Sequence, residues 1–440
     1  MEKLLSCVLC ISWLLNKKNC FERAGVSTIQ VHMKAIRHFL LLAALLPLNF
    51  AAHAENLASI NTNVLTAAAT PRTSIIFIEC HGLGVGDLSC YGQTNFQTPN
   101  LDRLAAGGIR FTDYHGGAAL HATGEDFLLA QAAFMTGNNN AFAPAKATVA
   151  QRLQQAGYHT GLIGEWTLGA QPWKQGFDEF AGFLDDAEGK NYYSDFLWRY
   201  APKSIVNDTA KTLDDFTGKE MIYPNTGGKR GQYLPDLFLA AAANFARVNQ
   251  PDLSSHYRPF FLLVSLPAPR SATAGTDDFP VPTDAPFTGE HWPQAAKNRA
   301  ALLTRLDTGV GRLLEQLQKL GMTNDLAIFF TSAVAPEKFS DANLEKLFRP
   351  AGNFSGEKNS GPARLPMIAN WPAKFPAGTV SQVKWSAQDF APTALEMALQ
   401  KPAADFTGNS ILPILFGKPG TSTPALPDTP GLPNDVPVGR

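Results

Sequence analysis

The feature that most constrains the fold is an alternation of short apolar runs with patterns at helical spacing. The run Ser74-Ile75-Ile76-Phe77-Ile78 is continuous, short and followed by Gly-rich sequence, which is typical of a buried parallel strand. Three further runs of this kind are Thr160 to Ile163, Phe260 to Leu266 and Leu326 to Phe330. Helical patterns separate the runs. One opens at Thr98-Pro99 and is closed by Gly107-Gly108, and the others cover Thr148 to Ala156 and residues 295–320. The alternation predicts an α/β fold, with a mostly parallel sheet and helices on both of its faces.

The N-terminal segment has the pattern of a leader. Its two apolar stretches are shorter than the roughly 18 to 20 residues that a membrane-spanning helix needs, and they are Leu4 to Leu15 and Phe39 to Phe50. Read from Met33, the second stretch has a basic start, an apolar centre and the cleavage pattern Ala52-His53-Ala54. We therefore predict a leader over residues 1–54, a spacer over 55–71 and an exported protein, periplasmic or secreted, without a transmembrane helix in its mature form. The alternative is a buried N-terminal hairpin.

Composition narrows the class of protein and its partners. The chain has 37 Lys and Arg against 38 Asp and Glu, so it lacks the positive field that nucleic-acid binding needs. An apolar fraction of 45% is enough for a large core, which we place in one main domain over residues 72–417. Six prolines and little apolar periodicity predict a disordered tail over 418–440. Beyond the leader, Cys80 and Cys90 remain, either as a disulfide or as two unreactive buried thiols.

A series of motifs occurs in a fixed order between Ser74 and Gly417. They are Leu83-Gly84-x-Gly86-Asp87-Leu88-x-Cys90-Tyr91-Gly92, Thr98-Pro99-Asn100-Leu101-Asp102-Arg103-Leu104-Ala105, Gly108-Ile109-Arg110-Phe111-Thr112, Met135-Thr136-Gly137, Gly164-x-Trp166-x-Leu168-Gly169, Gly176-Phe177-Asp178, Pro259-Phe260-Phe261-Leu262, Leu306-Asp307-x-x-Val310-Gly311 and Ala391-Pro392-Thr393. Together they resemble the sulfatase family of the alkaline-phosphatase-like superfamily. The resemblance implies that family's sheet, with a C-terminal subdomain that is truncated here.

The resemblance also implies a metal site, and this chain departs from its pattern. Sulfatases hold a divalent metal, usually calcium, with oxygen ligands from an Asp-Asp pair after the first strand and an Asp-Asn pair after a later strand. The matching positions hold His81, Gly82, Ala333 and Val334. Glycine, alanine and valine side chains offer no oxygen, and histidine suits a hard cation poorly. We expect the family calcium site to be lost, and no cofactor.

The positions that the resemblance assigns to catalysis differ as well. The family converts Cys or Ser of a C/S-x-P-x-R motif to formylglycine, the nucleophile. Counted from either flanking motif, the Cys position becomes His121 or Phe127 and the Arg position becomes Glu125 or Gln131. The sulfate-contacting Lys, the His that protonates the leaving oxygen and a further loop His correspond to Glu165, Thr167 and Arg270. These changes predict loss of the family reaction.

The sequence therefore predicts a sulfatase-like protein with a degenerate active site that binds a ligand or partner. The ligand would be a sulfated or anionic small molecule or carbohydrate, and the partner an active paralogue. The alternative is a divergent hydrolase of sulfuric or phosphoric esters with a non-standard site. The candidate pocket consists of His81, Gly82, His121, Thr123, Glu165, Thr167, Arg270, Ala333 and Val334.

Several interpretations of individual residues stay open at this stage. His81 and His121 with Arg270 form an anion or transition-metal site, or they are histidines without such a role. Thr123 or Ser332 as a replacement nucleophile would need a base, and none is evident from the sequence. Six aromatic residues form a sugar-stacking wall or pack in the core, namely Trp166, Trp173, Tyr192, Tyr193, Trp198 and Tyr200.

Overall fold

A computed structural model describes most of the chain from Thr73 onward. The described residues are 73–116, 127–128, 147–168, 171–201, 216–250, 258–272, 276, 278–334, 336, 339–348, 364–402 and 404–417. All of them belong to one compact unit, Pro71–Arg440. The predicted leader, spacer and tail, and the candidates His121 and Thr123, lie outside the described residues.

Eleven strands of the described chain form one mixed sheet. The strands are β1 Ser74–His81, β2 Ile109–His115, β3 His159–Glu165, β4 Glu179–Phe183, β5 Phe196–Ala201, β6 Phe216–Met221, β7 Phe260–Pro269, β8 Leu326–Val334, β9 Arg364–Asn370, β10 Thr379–Ser381 and β11 Trp385–Ser386. Their order is β10-β2-β9-β8-β1-β7-β3-β4-β5-β6, and β11 also pairs with β2. The central strands β8, β1, β7, β3 and β4 run parallel, while β9 and the hairpin of β5 and β6 pair antiparallel to their neighbours. The predicted α/β fold with a mostly parallel sheet is confirmed.

The helices cover both faces of this sheet. They are α1 Pro99–Ala106, α2 Val149–Gln155, α3 Asp186–Gly189, α4 Leu234–Val248, α5 Gln294–Lys319, α6 Ala342–Phe348, α7 Phe390–Met397 and α8 Leu412–Leu415. Successive residues of a strand point to opposite faces, so Ile76 and Ile78 pack with α4 and α5, whereas Ile75 and Phe77 pack with α2 and α7. Both faces of β1 are therefore buried. No helix in the described part of the chain is long and apolar enough to cross a membrane.

The central strands continue past the positions where the sequence predicted them to end. The last strand residues are His81, Glu165, Pro269 and Val334, two to four residues beyond the predicted ends. The apolar run of β1 stops at Ile78, because polar and small residues follow it, but the strand itself continues to His81. Between β7 and α5 there is a short 3-10 turn at Phe287–Gly289. The long helix was predicted to within one residue at each end.

The motif around Asp307 explains how α1 is attached to α5. The Asp307 carboxylate accepts hydrogen bonds from the backbone nitrogen of Asn100 at 3.0 Å and from that of Leu101 at 2.8 Å. These amides belong to the first turn of α1, where backbone donors have no partner within the helix. A buried carboxylate on one helix thus caps another, which is favoured also by the helix dipole.

Replacing Asp307 with Ala is expected to lower the free energy of unfolding by about 2–3 kcal/mol, because buried helix donors lose a charged acceptor. Asp325→Ala, at an exposed position just before β8, serves as the control and should cost less than about 0.5 kcal/mol. Urea unfolding of the two variants and the wild type measures the difference. Equal losses of stability in the two variants would show that Asp307 does not hold α1 to α5.

A charged cluster around His159 lies at the start of β3. His159 Nε2 is 2.7 Å from Glu179 Oε1, and Nδ1 is 3.3 Å from Asp178 Oδ2. Burial alone would lower the pKa of His159, but its hydrogen bonds to Asp178 and Glu179 outweigh burial and raise it. Burial alone would raise the pKa of Asp178, but its hydrogen bonds with His159, the Thr160 backbone and Gln154 lower it. The cluster is therefore strongest when His159 is protonated and both carboxyl groups are ionised.

The stabilisation by His159 should depend on pH with a defined sign. Because the folded pKa of His159 is raised, its contribution is complete below its ordinary value of about 6.5 and is lost as pH rises through the folded value. We expect His159→Gln to cost about 1–2 kcal/mol near pH 5.5 and less at about pH 8.5. Urea unfolding at both pH values tests this, with exposed His291→Gln as the control. A larger cost at the higher pH would contradict it.

Candidate active site

The candidate site lies at the carboxyl edge of the central sheet. In open α/β sheets, ligands bind beyond the carboxyl ends of parallel strands. There β1, β3 and β8 end at His81, Glu165 and Val334, and β7 is followed directly by Arg270. Parallel pairing of β1 with β7 and β8, and of β3 with β7, places these ends side by side. Four separate stretches of sequence therefore meet at one edge.

Glu165 is the centre of a buried ionic cluster at this edge. Its Oε2 atom accepts a hydrogen bond from Arg270 Nη2 at 2.7 Å and lies 3.1 Å from His81 Nδ1. The Glu165 side chain is 0% exposed and that of Arg270 is 10% exposed, so solvent screens this ion pair little. Oε1 of Glu165 is buried without a hydrogen-bond partner among the described residues. The carboxylate thus has capacity for one further donor.

Ser265 and Glu79 extend the cluster on the other side of His81. Ser265 Oγ is 3.1 Å from His81 Nε2. Glu79 and Ser265 are register partners on β1 and β7. Although Glu79 keeps some exposed area, its carboxyl is surrounded by protein, and this desolvation raises its pKa despite the opposing effects of His81 and Ser265. The Glu79 carboxyl therefore binds a proton more readily than an exposed one.

Two glycines make room for the ionic cluster. A Cβ atom on Gly189, at the end of α3, would lie 2.6 Å from the Glu165 carboxyl carbon and 2.8 Å from Arg270 Nη2. Gly82 has a φ of +83°, and its Cβ would lie 3.2 Å from Arg270 Cα. A larger residue at either position would press on the Glu165–Arg270 pair or on the Arg270 backbone. Tyr192 fixes that backbone further, because its hydroxyl donates to the Arg270 carbonyl oxygen at 2.7 Å.

A small cavity of about 30 Å³ adjoins the cluster. Among the described residues its polar walls are Glu79, His81, Glu165, Thr167 and Ser265. Its apolar walls are Phe127, Leu128, Trp166, Leu168, Leu263 and Ala333. A volume of this size admits about two water-sized groups.

A second buried ion pair lies close behind the first strand's end. Arg299 Nη2 donates to Asp87 Oδ2 at 2.8 Å, and both side chains are 1% exposed. Arg299 also donates to the carbonyl oxygens of Pro269 at 2.8 Å and Gly82 at 3.1 Å. Its guanidinium lies between 5.0 and 5.3 Å from three ring centres, those of Phe279, Phe339 and Phe348. This pair joins α5 to the loop that follows β1 and to the end of β7.

Most predicted pocket residues that the structure describes converge at this edge. His81, Glu165 and Arg270 form the cluster, and Thr167 and Ala333 line the cavity. Gly82 and Val334 contact each other at this edge, since the Val334 carbonyl oxygen accepts from the Gly82 amide at 3.2 Å. Ser332 is held by the backbone: its Oγ accepts from the Leu83 amide and lies within 2.9 Å of the carbonyl oxygens of Cys80 and Val334.

Sequence reasoning missed Glu79, Ser265 and the pairing of Asp87 with Arg299. A signal existed for Glu79, because a carboxyl directly after four apolar residues of a buried strand needs a partner. By strand alternation, Glu79 and His81 share the face of Ile75 and Phe77. For Ser265 the signal was weaker, since a single serine is common in a buried strand.

The remaining candidates are mainly structural. Cys80 and Cys90 are both free, and burial raises the pKa of each thiol, which makes them unreactive. Trp166 and Tyr192 are buried in the core, and Trp173 stacks on Tyr200 at 5.0 Å. Among the residues that the structure describes, no group of three or more His, Cys, Asp or Glu side chains is arranged to hold a metal ion.

The fold and the position of this site define a class of α/β protein with its reaction centre at the carboxyl edge of a large sheet. The sulfatase family model matches residues 74–400. The chain therefore belongs to the sulfatase family, within the alkaline-phosphatase-like superfamily, as its motifs indicated.

Comparison with known proteins finds related sequences and solved structures with a similar fold. N-acetylgalactosamine-6-sulfatase of Canis lupus familiaris is 28% identical, over 82% of this chain and 69% of the relative. N-acetylgalactosamine-6-O-sulfatase of Bacteroides thetaiotaomicron is 27% identical, over 69% of this chain and 68% of the relative. The structure of Ps i-CgsB in complex with k-i-k-neocarrahexaose is 25% identical with a TM-score of 0.60, and covers 79% of this chain and 76% of that one. The PsFucS1 sulfatase from Pseudoalteromonas sp. is 20% identical with a TM-score of 0.62, and covers 84% of this chain and 77% of that one.

Proposed function

We propose that this protein is an exported sulfatase-fold protein that binds a sulfated carbohydrate and does not hydrolyse sulfate esters by the family reaction. The observation that carries the proposal is the Glu165 cluster. An ion pair between Glu165 and Arg270, with His81 beside it, occupies positions that the family uses for metal ligands and sulfate contacts.

The residues at the metal positions do not fit calcium. Calcium takes six to eight oxygen ligands at about 2.3–2.6 Å. At the four positions that match the family's ligands stand an imidazole, a glycine, an alanine and a valine. Glu165, the carboxylate in contact with His81, already accepts a hydrogen bond from a guanidinium. Arg270 would repel a further cation at this edge of the sheet. The positive charge here is therefore supplied by the chain's own side chain.

The charge at the sulfate-contact position also opposes the family reaction. Sulfate-ester cleavage develops negative charge that preorganised donors must stabilise, and removing one such donor typically costs about 2.7–4 kcal/mol. Here Glu165 stands in place of a lysine, and Thr167 in place of a histidine that protonates the leaving oxygen. A carboxylate raises the energy of an adjacent developing anion. The site therefore lacks the electrostatic means of sulfate transfer.

The choice of a sulfated carbohydrate as ligand rests on the relatives. The two curated relatives described above are sulfatases of N-acetylgalactosamine 6-sulfate by name, and the Ps i-CgsB structure holds a neocarrahexaose. Export follows from the leader pattern over residues 1–54.

The experiment is a paired assay of binding and turnover. Binding of N-acetylgalactosamine 6-sulfate and of unsulfated N-acetylgalactosamine is measured by calorimetry, and hydrolysis of the sulfated sugar and of 4-nitrophenyl sulfate is followed with calcium added. We expect binding of the sulfated sugar in preference to the unsulfated one, and no release of sulfate above the blank. Release of sulfate that stops on chelation would refute the proposal, and equal binding of both sugars would refute its ligand.

A further inference from the structure

Three side chains at the site lie in contact one after another, and together with the neighbouring Glu79 we name them the serine relay: Ser265, His81 and Glu165. Ser265 Oγ lies 3.1 Å from His81 Nε2, and Glu79 is the register partner of Ser265 on β1. His81 Nδ1 lies 3.1 Å from Glu165 Oε2, which Arg270 holds in place. A hydroxyl, an imidazole and an orienting carboxylate in this sequence are the parts of an activated serine nucleophile.

We propose that Ser265 is the nucleophile of a second, metal-independent activity, the hydrolysis of small carboxylic esters, with His81 as its base and Glu165 as the group that orients His81. This goes beyond the binding function proposed above. The inference rests on the contacts of the relay alone.

The hydrogens of the relay can be assigned consistently. A hydrogen on His81 Nδ1 faces Glu165 Oε2 at 3.1 Å, the oxygen that also accepts from Arg270. In that tautomer His81 Nε2 accepts from the Ser265 hydroxyl, as a general base must. The His81–Glu165 contact is poorly aligned for a hydrogen bond, a geometry that often tightens when substrate binds.

The charge and size of the site select the substrate class. The guanidinium of Arg270 is paired with Glu165, and the polar walls of the cavity are carboxyl, hydroxyl and imidazole groups, so the cavity suits a neutral acyl group. A cavity of about 30 Å³ admits an acyl group no larger than acetyl. The unpartnered Oε1 of Glu165 beside this cavity can accept from a water or an alcohol. A short-chain O-acyl ester is therefore the expected substrate.

The reaction balances without any further reactant except water. Ser265 Oγ attacks the ester carbonyl carbon while its proton passes to His81 Nε2. The carbon–oxygen bond to the alcohol then breaks, and the alcohol leaves with that proton. Water attacks the acyl-serine, giving its proton to His81, which returns it to Ser265 Oγ as the carboxylic acid is released.

Covalent labelling of the wild-type protein gives the first test. Methanesulfonyl fluoride, whose sulfonyl group is close to an acetyl group in size, sulfonylates serines that are activated by a base. The intact protein should gain one label, and peptide mass spectrometry should place it on Ser265. A folded protein without a label on Ser265, or with the label on another serine, overturns the proposal. Because this test needs no variant, it does not depend on the folding of any mutant.

Ester turnover gives the second test. We expect 4-nitrophenyl acetate to be hydrolysed at least about ten times faster than 4-nitrophenyl octanoate, because the cavity limits the acyl group. Ser265→Ala and His81→Ala should lose about 100-fold or more in kcat. Ser74→Ala removes an equally buried serine at the other end of the sheet and should keep the wild-type rate. Wild-type turnover by Ser265→Ala would sink the proposal.

The two proposals can fail separately. Sulfate release from an aryl sulfate would refute the proposed function and leave labelling of Ser265 unaffected. Absence of acetate hydrolysis and of label would refute the relay and leave the binding function standing.

Discussion

Replacing Arg270 with Ala is expected to lower the free energy of unfolding by about 3–5 kcal/mol. The substitution leaves the Glu165 carboxylate, whose side chain is 0% exposed, without the guanidinium that neutralises it. Breaking a buried pair in this way costs far more than the pair's own net contribution, because the remaining charge stays out of water. Chemical denaturation with a check of near-ultraviolet circular dichroism measures the loss.

The exposed pair of Arg199 with Glu220 provides the matched control. It has the same chemistry at 2.9 Å, but its side chains are 51% and 55% exposed. Arg199→Ala should cost no more than about 1 kcal/mol. Adding Glu165→Gln to Arg270→Ala should recover part of the loss, because the buried charge is then removed. An Arg270→Ala variant as stable as Arg199→Ala would mean that the Glu165 cluster is not an integral part of the fold.

Arg299→Ala is expected to be the most destabilising single substitution that we describe, also at about 3–5 kcal/mol or above. It leaves Asp87 buried and unneutralised, removes donors from two backbone carbonyl oxygens, and empties a site between three aromatic rings. Arg299→Lys should recover only part of this, since an ammonium cannot reach Asp87 and both carbonyl groups with the planar geometry of a guanidinium.

The control for this prediction is on the same helix. Arg312 lies on α5 at an exposed position, and Arg312→Ala should change stability by less than about 0.5 kcal/mol. Thermal unfolding of the three variants ranks them directly. Full recovery of stability in Arg299→Lys would show that the site requires a positive charge but not the planar geometry of a guanidinium.

The sequence was sufficient to predict the fold, because the fold follows from apolar patterns that extend over many residues. The apolar runs of β1, β3, β7 and β8 and the helical spacing of α5 predicted the parallel sheet and its covering helices. The hairpin of β5 and β6 was not predicted, because its strands mix polar and aromatic residues and lie near the edge of the sheet.

The site was predicted only in part, for a related reason. Alignment to the family motifs identified His81, Glu165 and Arg270 as substituted positions, yet not as partners of one another. These residues come into contact only because the fold brings together strand ends that are about a hundred residues apart in sequence. No local sequence pattern predicts that contact. Ser265 and Glu79 were missed because they match no family motif and become adjacent only through the register of β1 with β7.

The central claim is that this member of the sulfatase family has an internal ionic cluster where the family pattern has a metal ligand and sulfate contacts. Metal content and calcium response of the purified protein test it most directly. After dialysis against calcium, elemental analysis should find no stoichiometric calcium, and the melting temperature should be the same in calcium and in a chelator. One calcium per chain, together with a melting temperature that falls on chelation, would contradict the account.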